Sequence, residues 1–146
     1  MADFYPLTVT RLEHDTRDAV IVTLEPRPED KARFAFVPGQ YLTFRRLFDG
    51  DELRRSYSIC AGPEEKVLKI GVKRVDGGSF SSCANAGLHE GDVLEAMPPE
   101  GRFRAPTETN GKSYLGFAAG SGVTPVLSIV RSILSGDPTA QFTLVY

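Results

Sequence analysis

The stretch LRRSYSICAG, residues 53–62, concentrates side chains that could bind a ligand. Arg55, Tyr57 and Ser58 place a guanidinium, a phenol ring and a hydroxyl close together on a predicted strand. Alternate side chains of a strand share a face, so Arg55 and Tyr57 should lie together while Arg54 faces the other way. Taken alone, the arginine would be a solvated edge residue and the tyrosine a core aromatic. The remaining motifs decide whether Arg55 and Tyr57 have these ordinary structural roles or form a binding site.

Two glycine-containing segments could bind an anion through backbone N–H groups. GGSFSS, residues 77–82, begins a predicted helix, and GSGVTP, residues 120–125, lies between a predicted strand and helix. Helix N-termini attract phosphates because their N–H groups are free and their dipole end is positive. GSGVTP is an incomplete dinucleotide motif, since Pro125 stands where a third glycine is expected. For each segment an ordinary glycine turn remains the alternative.

Other chemistry has little support in the 146 residues. His14 and His89 lie in polar surroundings without a ligand-spaced partner, and we expect both at the surface. Cys60 and Cys83 do not form a metal-binding spacing, so we predict free thiols and no metal site. The net charge of −2 gives no reason to expect a nucleic-acid or membrane partner. No segment reads as a signal peptide or membrane span, and we expect a cytoplasmic protein.

Short strands separated by turns dominate the first two thirds of the chain. Their number and length predict a six-stranded antiparallel β-barrel. In VLKIGVKR the alternation assigns Leu68, Ile70 and Val72 to one face. A helix is predicted in SFSSCANAGL, with Ser81 as N-cap and Gly87 at its end. The predicted strands are PLTVTRLE (6–13), AVIVTLEP (19–26), QYLTFRR (40–46), RSYSIC (55–60), VLKIGVKR (67–74) and DVLEAMP (92–98).

The pattern changes after residue 105, where a polar segment predicts a linker over 106–112 between a barrel domain, 1–105, and a second unit, 113–146. A buried strand over 114–119, a helix and the strand QFTLVY predict a parallel, right-handed strand–helix–strand unit. Thr124 is expected to cap the helix, with Pro125 at its first position and Gly136 at its end. Val126, Leu127, Ile129, Val130, Ile133 and Leu134 form its predicted buried stripe. Two parallel strands and one helix cannot bury both faces of the sheet, as parallel sheets require. We therefore expect the truncated start of an α/β domain.

The chain carries Arg-x-Tyr-Ser on a barrel strand, then Gly-x-x-Ser at a helix, then a glycine turn with Thr-Pro. In this order of motifs the whole chain resembles members of the ferredoxin–NADP reductase superfamily. The resemblance implies FAD on the barrel and NAD(P)H on the α/β domain. It places Arg55 on the flavin pyrophosphate, Tyr57 against the isoalloxazine ring and Ser58 near its reactive nitrogen. FMN is the alternative, because Val75 offers no ring for adenine. The full implied set is Arg55, Tyr57, Ser58, Val72, Lys73, Gly78, Ser79, Phe80, Ser81 and Thr124 for the flavin, with Gly120, Gly122, Thr124 and Pro125 for the nicotinamide.

Within the superfamily, FDGDELRRSYSIC and AAGSGVTP resemble the reductase components of bacterial phenylacetyl-CoA epoxidases. That resemblance implies NAD(P)H as donor, an oxygenase component as partner and a [2Fe–2S] domain in the parent protein only. It implies no acid–base residue, because the cofactors carry the chemistry. The alternatives are a reductase of another multicomponent oxygenase and a non-enzymatic barrel with a nucleotide-binding appendage. We expect this chain by itself to be inactive and to self-associate through QFTLVY, an apolar edge strand.

Overall fold

A computed structural model describes residues 3–106 and 111–146. Its first six strands form one antiparallel sheet with the order β4-β3-β6-β1-β2-β5. A bridge between Ile59 and Ile70 joins the ends of this order and closes the sheet into a barrel. The predicted six-stranded antiparallel barrel is therefore confirmed. The strands are β1 (Tyr5–Thr16), β2 (Ala19–Pro26), β3 (Tyr41–Phe48), β4 (Asp51–Ser58), β5 (Leu68–Lys73) and β6 (Val93–Ala96).

Alternation of apolar residues produces the barrel core. On β5, Leu68, Ile70 and Val72 are buried while Lys69, Gly71 and Lys73 are not, as the sequence predicts. One apolar cluster of buried residues fills the interior and includes residues of five strands, and Tyr57 of β4 packs against it. Burial of these side chains is the main force that holds the sheet closed.

The β3–β4 hairpin is longer than its sequence suggests. The first predicted strand ended at Arg46 and the second began at Arg55, and both bounds were wrong, since β3 runs to Phe48 and β4 begins at Asp51. Asp49 and Gly50 have φ angles of 51° and 89°, and Phe48 pairs with Asp51. An Asp-Gly pair with positive φ angles is the turn that joins two strands with the fewest residues. The strand that carries Arg55 therefore extends well beyond the cleft described below.

Helix α1 (Ser79–Ala86) follows β5 and ends as predicted, with Gly87 as C-cap. The predicted N-cap was wrong, because Gly78 occupies that position and Ser81 lies inside the first turn. The Ser81 hydroxyl accepts a hydrogen bond from the Val75 N–H at 3.1 Å and lies 3.4 Å from the Gly78 carbonyl oxygen. Ser81 thus fixes the turn before the helix from within the helix.

The second unit consists of β7 (Ser113–Phe117), helix α2 (Val123–Gly136) and β8 (Gln141–Val145). Its two strands are parallel, which confirms the predicted strand–helix–strand arrangement. The predicted start of α2 was wrong, because Gly122 is the N-cap and Thr124 is the second helical residue. The helix ends at Gly136 as predicted, and Asp137 is its C-cap.

The buried side of α2 agrees with the predicted stripe except at its end. Val126, Ile129 and Ile133 are buried, whereas Leu134 is 43% exposed. Ser128, a polar residue outside the predicted stripe, is fully buried. The helix therefore packs through a narrower apolar stripe that includes one hydroxyl.

The predicted linker, 106–112, lies mostly outside the described residues, since 107–110 are not described. The proposed domain boundaries accordingly stay a prediction. Among the helices that the structure describes, none is long and apolar enough to cross a membrane.

Candidate functional site

A cleft of about 700 Å³ opens between the barrel and the start of α2. That volume lies within the range of small-molecule and cofactor sites. The cleft brings together nine of the residues implied for flavin binding, from β4, β5, α1 and α2. These are Arg55, Tyr57, Ser58, Lys73, Gly78, Ser79, Phe80, Ser81 and Thr124.

Strand β4 turns its inner face toward this cleft. Arg55 pairs with Phe44 across β3, and Tyr57 pairs with Leu42. Directly paired residues lie on the same face of an antiparallel sheet, and both β3 partners are fully buried. Arg55 is nevertheless exposed and Tyr57 only half-buried, because β4 stands at the mouth of the barrel. An inward-facing cation is tolerated here because the inner face opens into the cleft.

The neighbouring Arg54 belongs to the opposite face. It pairs with Glu52 at 2.7 Å, and its guanidinium lies 5.0 Å from the centre of the Phe4 ring. The Arg55 guanidinium donates one hydrogen bond, to the Arg54 carbonyl oxygen at 2.7 Å, and lines the cleft. Since a guanidinium has five N–H donors, Arg55 retains capacity to bind an anion there. The predicted division between the two arginines is thus present in the structure.

Two packed aromatic rings, Tyr57 and Phe80, line the cleft, and the Phe44 ring lies behind them. The Tyr57 ring lies 5.4 Å from the Phe80 ring and 6.2 Å from the Phe44 ring, measured between centroids. Phe80 and Phe44 are buried in the core, so the Tyr57 ring has a rigid support. Burial raises the pKa of the Tyr57 phenol, although the charge of Arg55 opposes the shift. Tyr57 therefore stays neutral at physiological pH and offers a ring to an aromatic ligand.

Helix α1 points its N-terminus into the same cleft. The first-turn N–H groups of a helix have no intrahelical partners, and here they belong to Ser79, Phe80 and Ser81. Gly78 leaves the approach to them open. A Cβ atom at Gly78 would lie 2.5 Å from the Ser81 hydroxyl oxygen and 3.0 Å from the Val75 carbonyl oxygen. This position therefore requires glycine.

The charged side chains of the cleft are all cationic. Arg55, Lys73 and Arg74 belong to its lining, and no carboxylate does among the residues that are described. An ion pair with Asp18, at 2.8 Å, holds the Arg74 side chain. Together with the α1 N-terminus, these cations suit a ligand that carries phosphates.

The far wall of the cleft is the first turn of α2, which contributes Thr124, together with the turn before it, which contributes Ser121. Gly71 on β5 allows this wall to approach, since a Cβ atom there would lie 3.1 Å from the Thr124 methyl carbon. Sequence reasoning did not select Ser56, Gly71, Arg74 or Ser121 individually, although all four line the cleft. Gly71, a glycine inside a strand pattern, was the one available signal, because such a glycine often marks a close approach.

Several predicted residues lie elsewhere. The Val72 side chain is fully buried in the barrel core, because the alternation that exposes Gly71 and Lys73 turns it inward. Gly120, Gly122 and Pro125 are not in the described cleft lining, although they adjoin Ser121 and Thr124. Ser58 does reach the cleft, at the last position of β4.

The chain belongs to the oxidoreductase FAD-binding domain family, whose model matches residues 6–105. It is 44% identical to one of the subunits of the 1,2-phenylacetyl-CoA epoxidase of Escherichia coli (strain K12), over 100% of this chain and 41% of that protein. The superfamily prediction and the assignment of FAD as the cofactor are confirmed by this membership.

Solved structures agree with this classification. The cytochrome P450 reductase GcoB of Amycolatopsis is 31% identical, with a TM-score of 0.79 over 99% of this chain and 43% of that one. Phthalate dioxygenase reductase, described as a modular structure for electron transfer from pyridine nucleotides to [2Fe–2S], is 27% identical. Its TM-score is 0.77, over 97% of this chain and 42% of that one. The chain thus spans about two fifths of the length of these relatives.

The residues present fit FAD. The Gly78 cradle at the α1 N-terminus and the Arg55 guanidinium provide donors for a pyrophosphate. The supported Tyr57 ring provides a surface for a flat conjugated system. Because these two features lie in one cleft, a single ligand with both chemical parts can use them together.

Proposed function

We propose that this chain is the flavin-binding part of a reductase that passes electrons from NADH or NADPH to the oxygenase component of a multicomponent enzyme. The observation that carries the proposal is the cleft itself, in which Arg55, the α1 N-terminus and the Tyr57 ring face one volume. The phthalate dioxygenase reductase, with its pyridine nucleotide donor and [2Fe–2S] acceptor, supports the direction of electron flow. In this proposal the [2Fe–2S] centre belongs to another part of the complete protein.

The bound flavin would supply the chemistry, accepting a hydride from the nicotinamide and releasing electrons singly. The residues of the chain bind the flavin and orient it. Arg55 and the first-turn N–H groups of α1 hold the pyrophosphate, and Gly78 lets it approach the helix. The Tyr57 ring, fixed by Phe80, sets the plane in which the conjugated ring rests.

Thr124 and Ser121 have a different role in this proposal. They form the wall opposite β4, so they lie where a nicotinamide would meet the flavin. The Thr124 hydroxyl already donates to the Ser121 carbonyl oxygen at 2.8 Å. That hydrogen bond joins the first turn of α2 to the turn before it. The Thr124 methyl group faces Gly71, where a Cβ atom would lie 3.1 Å from it.

We further propose that the oxygenase acts on phenylacetyl-CoA. The 44% identity to the epoxidase of Escherichia coli supports this choice. The alternative is the reductase of another oxygenase, of which the phthalate dioxygenase reductase is an example. Pairing the complete protein with a phenylacetyl-CoA epoxidase oxygenase and with a phthalate dioxygenase would separate the two. NAD(P)H oxidation coupled to substrate turnover is expected with the first oxygenase only.

The proposed function can be tested by cofactor analysis and anaerobic reduction of the complete protein. We expect a yellow protein whose released cofactor is FAD rather than FMN. Addition of NADH or NADPH without oxygen should then bleach the flavin absorbance. A colourless protein that binds no FAD on titration would contradict the proposal, as would a flavin that neither nucleotide reduces.

A further inference from the structure

Helix α2 contacts the barrel through polar groups on one side, in addition to its apolar stripe. The Ser128 hydroxyl donates to the Ala61 carbonyl oxygen at 2.6 Å, in a fully buried position. One turn further on, Arg131 donates to the Glu65 carboxylate at 2.6 Å. Thr124, one turn before Ser128, faces Gly71. Because residues four and three apart lie on one helix face, these three contacts form a line along α2.

Glu65 lies at the Arg131 end of this contact line and collects hydrogen bonds from three groups. One carboxylate oxygen accepts hydrogen bonds from the Gly62 N–H at 3.0 Å and from Arg131. The other accepts from the Lys69 ammonium at 2.6 Å. Bonds from Lys69, Gly62 and Arg131 outweigh burial and lower the pKa of Glu65 to about 2. The carboxylate is therefore ionised, and both of its oxygens accept hydrogen bonds.

The barrel side of the contact line is continuous with the cleft. Strand β4 carries Tyr57 and leads through the Ile59–Ile70 bridge to Ala61 and Glu65. Lys69 precedes Ile70 on β5, which continues into Gly71 at the cleft wall. Glu65 is thus tied to both strands that line the cleft, and through Arg131 to the helix that forms its far wall. A shift of the carboxylate would be transmitted to both walls.

We propose that Glu65 is a positioning residue, which holds the first turn of α2 at a fixed distance from the flavin-binding face of β4 and β5. The inference rests on the proposed function, since the distance matters for transfer between two cofactors that meet in the cleft. Reaction rates are sensitive to such distances, and a displacement of about 1 Å can cost roughly 100-fold. Glu65 touches none of the reacting atoms. It acts through Arg131 and α2.

The test compares Glu65→Gln with Glu64→Gln in the complete FAD-loaded protein. Glu64 is the exposed neighbour of Glu65 on the same short helical turn, Pro63–Glu65. Flavin reduction is followed anaerobically with NAD(P)H and with 1-benzyl-1,4-dihydronicotinamide, a donor that lacks the nucleotide by which the second unit could hold it. For Glu65→Gln we expect roughly 10- to 100-fold slower reduction by NAD(P)H. The rate with the benzyl compound and the affinity for FAD should be unchanged. Glu64→Gln should match the wild type.

Amide hydrogen exchange in the flavin-free protein gives a readout that does not depend on activity. Exchange in α2 should be roughly 10-fold faster in Glu65→Gln, with exchange in β1 and β2 unchanged, because loss of the ionic hydrogen bond frees the helix. Arg131→Ala, a change at a partly exposed side chain, should reproduce both effects if Glu65→Gln fails to fold. A double-mutant cycle should show that the two changes are not additive.

Three outcomes would overturn the proposal, and they are distinguishable. If Glu65→Gln is reduced by NAD(P)H at the wild-type rate, Glu65 does not position α2. If both donors are slowed equally, or FAD affinity falls, Glu65 supports the flavin site alone. If NAD(P)H does not reduce the wild-type flavin, the proposed function fails and the positioning role fails with it.

Discussion

The two walls of the cleft are built in different ways. The barrel wall places its ligand-facing residues on top of buried ones: the Tyr57 ring packs on Phe80, and Ser81 fixes the turn before α1. The α2 wall is exposed at Gly120–Gly122, and the side chains of Ser128 and Arg131 tie it to the barrel through polar contacts. A wall supported by the core suits a cofactor that stays bound. A wall attached through a few polar contacts suits a ligand that must enter and leave.

The largest expected effect is a loss of stability when the ring that supports Tyr57 is removed. Phe80→Ala removes a ring that is 5% exposed and supports Tyr57, so we expect a loss of about 3–5 kcal/mol in the free energy of unfolding. Phe117→Ala is the matched control, because this ring on β7 is 70% exposed. Its effect should stay within about 0.5 kcal/mol. Chemical denaturation of both variants measures the difference, and equal losses would contradict the comparison.

An intermediate effect concerns the attachment of α2. Ser128→Ala leaves the Ala61 carbonyl oxygen without its buried donor, which should cost about 1–3 kcal/mol. Ser135→Ala, at an exposed serine of the same helix that bonds within α2, should change stability little. Thermal unfolding of this pair tests whether the barrel contact matters. If both variants melt at the same temperature, the Ser128 contact does not stabilise the attachment.

The smallest expected effect is a pH dependence due to Glu65. Its pKa is about 2 in the folded protein and 4.5 for an unperturbed glutamate. The stabilisation is therefore complete above pH 4.5 and is lost as the pH falls toward 2. At neutral pH we expect the free energy of unfolding of the wild type to be about 1 kcal/mol higher than that of Glu65→Gln. The difference is small because solvent screens the partly exposed partners. Denaturation at a series of pH values should show this difference shrinking below pH 4.5. A constant difference would mean that the charge contributes nothing.

The barrel wall was largely predictable from the sequence, because alternation depends only on local spacing. The faces of β5 and the opposite orientations of Arg54 and Arg55 follow from it. An accessible Arg55 was also expected, but alternation did not show that its face points into the barrel and opens at the cleft. The orientation of the Arg74 side chain could not be predicted either, because its ion-pair partner Asp18 comes from a distant part of the chain.

Both predicted N-caps were wrong for one physical reason. The Ser81 and Thr124 hydroxyls lie inside the first helical turn and point back to the carbonyl oxygen three residues earlier, on Gly78 and Ser121. Hydroxyl residues are favoured at helix starts because they bond to nearby backbone groups, and sequence alone does not distinguish the cap from the first turn. The contacts of α2 through Ser128 and Arg131 depend on tertiary packing and had no local signal.

FAD titration of apo Arg55→Ala and Arg54→Ala tests the proposal that the inner face of β4 binds the pyrophosphate of FAD. Loss of an ionic hydrogen bond costs about 1.5–3 kcal/mol, so Arg55→Ala should weaken FAD binding roughly 10- to 150-fold. Arg54 pairs with Glu52 on the other face, so Arg54→Ala should bind FAD as the wild type does. Flavin fluorescence reports both affinities, and circular dichroism checks that both variants are folded. Equal affinities in the two folded variants would contradict the account.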